Sequence, residues 1–532
     1  MADKYVDKTG SDSNTGGSGD PYLTVNKGLD NVGDGDTVFI AIGTYDEQHV
    51  FDESSQGGKD IALQGSSKDD VTLTYTAGTR AIYLSNTTFG TLRLSGLTIS
   101  MGSSGDSSIM NNGVADVFID DCILSSPAAC VRYLAGVSHE TMDLYVNNST
   151  LISESQFIEI DEARDVVVTG CAAEELTALN ATGALVRFDD NDCRNIIISG
   201  NTVTAEQGGL VSLGSGAAQD SLTALYVTGN TVNGNAVFLV DLKYLSSNTV
   251  ITGNTLTKSH TSASSIGISI GVETTGAFAS PTNDINPLPL TGSVVIENNS
   301  ITYEDSANQD HGILVGLTGD IDVIISGNFV KSEDFGIVVK EATGQVNNCT
   351  IVNNRVWGKD CIYPAGNNNT SISNNSVYVT EGFGIKIDEN QRLEGISEDT
   401  KIYANIIHNV GTGQCIQIAG TDDENTFSDN NCLISTGSGY VGKMAGGTQT
   451  ALSDVLTLWQ NATGWGGGAA SHEKNEGISI ELNPFFTDPS SGDFTVNNSS
   501  IPSYIGSTSL TTTESNRADY NSITGGGYKY TS

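Results

Sequence analysis

A short pattern of apolar and polar positions, apolar-x-x-Asn-x-apolar, returns along most of this chain. It reads ISGNTV at 198–203, VTGNTV at 227–232, ITGNTL at 251–256, IENNSI at 296–301, ISGNFV at 325–330, IVNNRV at 351–356, ISNNSV at 372–377 and IYANII at 402–407. Successive Asn residues (Asn201, Asn230, Asn254, Asn299, Asn328, Asn354, Asn375 and Asn405) are 29, 24, 45, 29, 26, 21 and 30 positions apart. Apart from the one long step, each interval is a single coil of a solenoid. Weaker copies lie upstream, LSGLTI, IDDCIL and VTGCAA, with Leu97, Cys122 and Cys171 in the Asn slot. The pattern predicts two short strands meeting at a sharp corner, where Asn tolerates the left-handed conformation and keeps an amide to spare. Coils stacked at roughly 4.8 Å pair each strand with the coil before and after, and the amides form a column. Leucine-rich repeats, propellers and sandwiches would not hold one Asn in register so often.

Each coil also holds an apolar-x-apolar strand whose middle residue faces solvent. Followed along the stack, that position is expected to be Arg132, Glu159, Arg187, Leu239, Ser269, Leu314, Val338, Lys386 and Gln417. The position two residues on is expected to be Leu134, Asp161, Asp189, Asp241, Gly271, Gly316, Lys340, Asp388 and Ala419. On this reading Glu159, Asp161, Arg187, Asp189 and Asp241, with Lys243 nearby, make an acidic cluster with basic members. Carboxylates one or two coils apart bracket the spacings of retaining and inverting glycoside hydrolases, about 5–5.5 and 6.5–9.5 Å. Asp also follows strands because it caps turns well, so the cluster has a purely structural explanation beside the catalytic one. Tyr303, Trp357, Tyr363 and Tyr378 lie at or next to turns, where flat rings stack on sugars or on another subunit.

Composition narrows these choices. The chain of 532 residues has 61 Gly, 9 Pro and a net charge of −39, which suits many turns and repels a phosphate backbone, so nucleic-acid binding is excluded. No segment has the apolar length of a membrane span. The opening MADKYVDKTGSD lacks the apolar stretch of a secretory signal, so export by that route is not expected. The eight Cys lack the close-pair spacing of zinc sites and read as reduced, buried residues. No set of residues stands out as a metal site, and HExxH, Walker and dinucleotide motifs are missing from the contexts that would give them meaning.

Residues 5–47, YVDKTGSDSNTGGSGDPYLTVNKGLDNVGDGDTVFIAIGTYDE, resemble the opening of the pectate-lyase-like superfamily, which builds a first strand, a short capping helix and the first coil. Residues 451–506 resemble its close: a short helix, with Leu452, Val455, Leu456 and Trp459 on one face, then NPFFTDPSSGDFTV and SSIPSYIG. The fold class expected is therefore all-β, a single-stranded right-handed parallel β-helix with short capping helices at both ends. The cap and first coil should fall in 1–50, the coils in 51–440, and the C-terminal helix, last coils and tail in 441–532. A lyase of this superfamily would call for a Lys or Arg base, parts open to Lys243 and Arg187, and for carboxylates holding Ca²⁺. The preferred expectation is a virion-surface protein, a phage tailspike, fibre or capsid-decorating β-helix. Its partners would be cell-surface glycans or other virion proteins, with a homotrimer as one assembly open to it. The alternative is an extracellular lyase or glycoside hydrolase acting on an acidic polysaccharide.

Overall fold

The computed structural model describes residues 3–450, apart from segments of up to twenty residues, the longest of them 214–223, 272–291 and 388–399. It also describes 474–475, 486–496, 523–524 and 527–528. The chain divides into two compact units, Met1–Asp241 and Leu242–Ser532. Both are right-handed parallel β-helices.

In the first unit, Lys4–Val6, Thr37–Ile40, Ile61–Gly65, Thr88–Ser95, Val114–Asp120, Asp143–Asn147, Ala163–Thr169, Cys193–Ser199 and Ala224–Thr228 pair in that order, each parallel to the last. Alternate residues such as Leu94, Ile119, Val146, Val168, Ile198 and Val227 are fully or almost fully buried in the bore of the helix. This is the period-2 pattern that one wet and one dry face require. The helix Val25–Asn31 covers the end of the bore. Thr24 accepts from the Lys27 N–H at 3.2 Å, and the Glu47 carboxylate accepts from Val25 N–H (2.8 Å) and Asn26 N–H (3.1 Å), satisfying the first-turn donors. A side chain at Gly28 would meet Val38 at 2.9 Å and Val6 at 3.0 Å, so Gly lets the helix lie directly on the first strands. The free edge of Lys4–Val6 is also occupied: Tyr5 N–H donates to Gly16 O, and Tyr5 O accepts from Tyr22 N–H. The N-terminal cap expected from the sequence is thus present, whereas Leu452, Val455, Leu456 and Trp459 of the second expected helix lie outside the described residues.

In the second unit the matching strands are Asn248–Thr252, Gly292–Glu297, Ile321–Ser326, Asn347–Val352, Asn368–Ser373, Lys401–Tyr403 and Phe427–Asp429. The recurrent Asn residues form the expected column. From Asn254 through Asn299, Asn328, Asn354, Asn375 and Asn405 to Asn431, each donates its backbone N–H and its Nδ2–H to the next Oδ1 at 2.9–3.1 Å. Asn254 bonds Asn299 directly, so the step of 45 residues is a single coil carrying an insertion. Asn431 extends the column past the last repeat read from sequence. In the first unit it runs from Asn201 to Asn230 at 2.9 Å, with Cys171 N–H donating to Asn201 Oδ1 and Cys122 N–H to Ser149 Oγ.

One detail differs from the sequence reading. The left-handed residue is the one before the column, Gly200 (φ 63°), Gly327 (φ 64°) or Asn353 (φ 58°), and not the column Asn itself. The turn needs the positive φ one position earlier, which frees the Asn side chain to point inward. At Ala404 this conformation (φ 55°) falls on a residue that has a Cβ and lacks the polar side chain that lets Asn tolerate it. Ala404→Gly should therefore raise stability by about 1 kcal/mol, the left-handed penalty less the added freedom of the unfolded chain, read as a higher denaturant midpoint with unchanged m-value.

The second unit also carries a returning hairpin, Phe486–Asp488 paired antiparallel with Asp493–Val496. Phe486 and Phe494 pack with Phe329, Ile406 and Ile434, and Trp357 and Tyr378 lie against the same cluster. The side chains of seven cysteines are described, and all seven are buried, as expected. Among the described residues no helix is long and apolar enough to cross a membrane.

Candidate functional site

On the flank of the first unit chosen from sequence, the register gives one outward column: Val50, Tyr83, Met110, Arg132, Glu159, Arg187, Ser212 and Asp241. Arg187 faces Ser212, and Ser212 faces Asp241, so the sequence reading skipped a coil whose outward residue is an uncharged Ser. Leu239, expected outward, is fully buried. Asp241 thus joins the column of Glu159 instead of lying in the Asp161 column. Three coils separate Glu159 from Asp241, roughly 14 Å by the strand spacing, which is beyond either glycosidase geometry. Glu159 is engaged by Arg132 at 2.9 Å, as opposite charges facing each other across parallel strands tend to be. The half-buried Asp161 donates its backbone N–H to Tyr133 O at 3.1 Å. Asp189 and Lys243 lie outside the described residues. Among the described residues no His/Cys/Asp/Glu group has a metal-holding arrangement.

The aromatic candidates separate as well. Tyr303 is fully buried and donates its hydroxyl to His311 O at 2.8 Å, so it faces the bore rather than a ligand. Trp357 faces Lys331 and Tyr378 in register, with the Lys331 ammonium 5.3 Å from the Trp ring. The shelf they form is where the hairpin sits: His408, next in the column, has its ring 6.4 Å from Phe486. Burial there pushes the His408 pKa down to about 4. The rings read from sequence as ligand platforms are therefore seats for the chain's own hairpin. Tyr363 alone of the four belongs to a corner with chemistry.

That corner lies where each coil of the second unit turns into its last strand. His311, Phe335, Asp360 and Phe383 occupy equivalent positions in successive coils, with Asp310, Asp334 and Lys359 one residue before the first three. Close packing fixes them. A Cβ on Gly312 would lie 2.2 Å from a Val330 methyl, and one on Gly336 would lie 2.4 Å from a Val356 methyl. Phe335, Tyr363 and Phe383 form a wall with ring separations of 6.2, 6.4 and 5.8 Å. The Lys386 ammonium stands 4.8 Å from the Tyr363 ring, a cation–π distance.

Two carboxylates belong to this corner, Asp360 in register with Phe335 and Asp334 one residue before Phe335. Burial pushes the Asp360 pKa up to about 6; the Phe383 N–H, donating to Asp360 Oδ1 at 3.0 Å, opposes that shift and the Asp334 charge adds to it. Asp334 is also raised, first by burial and then by the charges of Asp310 and Glu381, with Lys359 acting the other way. His311 Nδ1 lies 3.7 Å from Asp334 Oδ2. Beneath them is a buried ion pair, Lys258 Nζ to Asp310 Oδ1 at 2.7 Å, with both side chains almost fully enclosed. The Asp310 carbonyl accepts from Asp334 N–H at 3.3 Å and from the Ser332 hydroxyl, so the ion pair and the half-buried Asp334 share one backbone corner. A carboxyl that holds its proton up to about pH 6 can donate it, a second carboxylate one coil away can receive one or attack, and the aromatic wall can take a sugar face. Sequence reasoning passed over Asp334 and Asp360. The signal for them is a small inward residue returning once per coil (Gly312, Gly336, Cys361, Gly384, Cys415), with the corner residue just before it.

The sequence model of the family described as "Right handed beta helix region" matches residues 289–453, a span that includes the corner. Among solved structures the chain is similar to a pectin methylesterase mutant in complex with a hexasaccharide, at 10% identity over 63% of this chain and 81% of that one, TM-score 0.22. It is also similar to the A-module of a mannuronan C-5 epimerase from Azotobacter vinelandii, at 11% identity over 80% and 90%, TM-score 0.24. A rhamnogalacturonan lyase is similar at 12% identity over 81% and 87%, TM-score 0.22. No curated protein sequence matches. Likeness of this degree gives no residue of this chain a role.

Proposed function

We propose that this β-helix binds a polysaccharide at the corner of its second unit and cleaves it, with Asp360 as general acid and Asp334 as the companion base or nucleophile. The arrangement that carries the reading is the half-buried Asp360, one coil from the half-buried Asp334 and beside an aromatic wall, with burial pushing the Asp360 pKa up to about 6 and raising that of Asp334. Asp334 lies one coil before Asp360 and one residue out of register with it, since Asp360 pairs with Phe335, and the anomeric configuration of the product would tell a nucleophile from a base at Asp334. Lys386 supplies positive charge beside the wall, so an acidic polysaccharide is the substrate class to try first. Incubation of the full chain with pectate, alginate and a neutral glucan, with and without Ca²⁺, should release new reducing ends or unsaturated products from an acidic polymer. No product from any of them would overturn the cleavage reading, and a strict Ca²⁺ requirement would replace acid catalysis by a metal-assisted route.

A glycan-binding spike on a virus particle would use the same kind of partner, and the two settings are separated by location. Proteomics of purified particles is the test of the virion reading, and cross-linking in solution is the test of a homotrimer.

A further inference from the structure

A cavity of about 310 Å³ opens beside the first strands of the first unit, remote in sequence from the carboxylate corner. Tyr5 and Phe39 line it as a stacked pair, ring centroids 5.1 Å apart and 20° from parallel, with Gln64 next in the same column. Further along that column the polar side chains are spent on one another: Asp120 Oδ1 accepts from Asn148 Nδ2 at 3.1 Å, and Asn147 Oδ1 accepts from Thr169 Oγ1 at 2.6 Å. At the cavity the pattern breaks. The Gln64 amide and the Ser66 and Ser18 hydroxyls make no side-chain hydrogen bond among the described residues, and all three are exposed. These groups both donate and accept, as the hydroxyls of a neutral sugar do.

The charge of the lining points the same way. Asp7 is the charged residue among those lining the cavity, and the Thr9 N–H (2.8 Å) and hydroxyl (2.7 Å) hold its carboxylate in place. An anionic ligand would meet like charge with no cation to offset it, and a purely apolar ligand would strand the Gln and Ser groups. The volume is at the lower end for a small-molecule pocket, the size of one or two rings. We infer that this cavity is a binding subsite for a neutral sugar ring, free or at the end of a glycan, separate from the proposed cleavage corner.

Saturation-transfer NMR on the full chain tests this with cellobiose and N,N′-diacetylchitobiose as probes and digalacturonate as the anionic comparator. The neutral disaccharides should receive magnetisation from the protein at this cavity, whereas transfer to digalacturonate, an acidic sugar of the class proposed for the corner, should be unchanged in Gln64→Ala. Gln64→Ala and Ser66→Ala, both at exposed positions that leave the core of the coil intact, should each weaken binding by about threefold to tenfold, the worth of one hydrogen bond. Binding should persist in Asp360→Asn, which separates this cavity from the corner. Absence of transfer to the neutral disaccharides, loss of digalacturonate transfer in Gln64→Ala, or affinity for the neutral disaccharides unchanged in both Gln64→Ala and Ser66→Ala would each overturn the inference.

Discussion

Asp360→Asn should lower turnover on the cleaved polysaccharide by about 10²–10⁴, the range lost when a positioned general acid is removed. The fold should survive, because Asn can still accept the Phe383 N–H that now bonds Asp360 Oδ1. The wild-type pH profile should carry the signature of the same group. An acid works while it holds its proton and its companion carboxylate once it has lost one, so the profile should be bell-shaped, losing activity on the acid side as Asp334 takes up a proton and falling on the alkaline side as pH rises through about 6. The variant's residual activity should lack this fall. Stability is linked with the same sign: the folded pKa lies above the unfolded one, so Asp360 favours the folded state most at low pH, and that contribution is lost as pH rises from about 4 to about 6. Glu381→Gln, an exposed neighbour, should change the rate by less than about threefold, within the small effects expected of a solvent-screened charge. Activity in Asp360→Asn within threefold of wild type would remove the residue from the chemistry.

Lys258→Met should destabilise the second unit by about 3–5 kcal/mol, because it leaves the Asp310 carboxylate buried without its partner. Adding Asp310→Leu should recover most of that loss, since replacing both charges by apolar groups removes the stranded carboxylate. Chemical denaturation of the single and double variants measures the difference. Equal midpoints for wild type and Lys258→Met would mean that water already reaches Asp310. Because the Asp310 carbonyl accepts from Asp334 N–H, the single variant should also blur the acid limb of activity.

The coils were legible in the sequence because their cause is local: the Asn column repeats within one short motif, and each repeat carries its own turn chemistry. Register along the outward flank was harder, since it depends on counting every coil. The coil of Ser212 announces itself with neither a charge nor an Asn that differs from its neighbours, and omitting it moved Asp241 into the wrong column. Exposure of the aromatics was not legible at all. Whether Trp357 and Tyr378 meet solvent depends on a hairpin more than a hundred residues later in the chain, and no local pattern encodes that docking. Tyr303 followed the strand rule in the opposite sense, occupying an inward slot in which its hydroxyl is satisfied by His311 O. The Asp334 and Asp360 corner was missed because carboxylates at turns are common, and what distinguishes this pair is burial, which a linear pattern does not reveal.

Parallel coils have an inherent hazard, since each end of such a stack is a template on which another polypeptide could continue the same ladder. Here the hydrogen-bonding groups of Tyr5 are already taken by Gly16 and Tyr22, and a short helix lies over the opening beside them. An incoming strand would have to displace both, so end-to-end growth into fibres is blocked at this terminus by the molecule's own backbone.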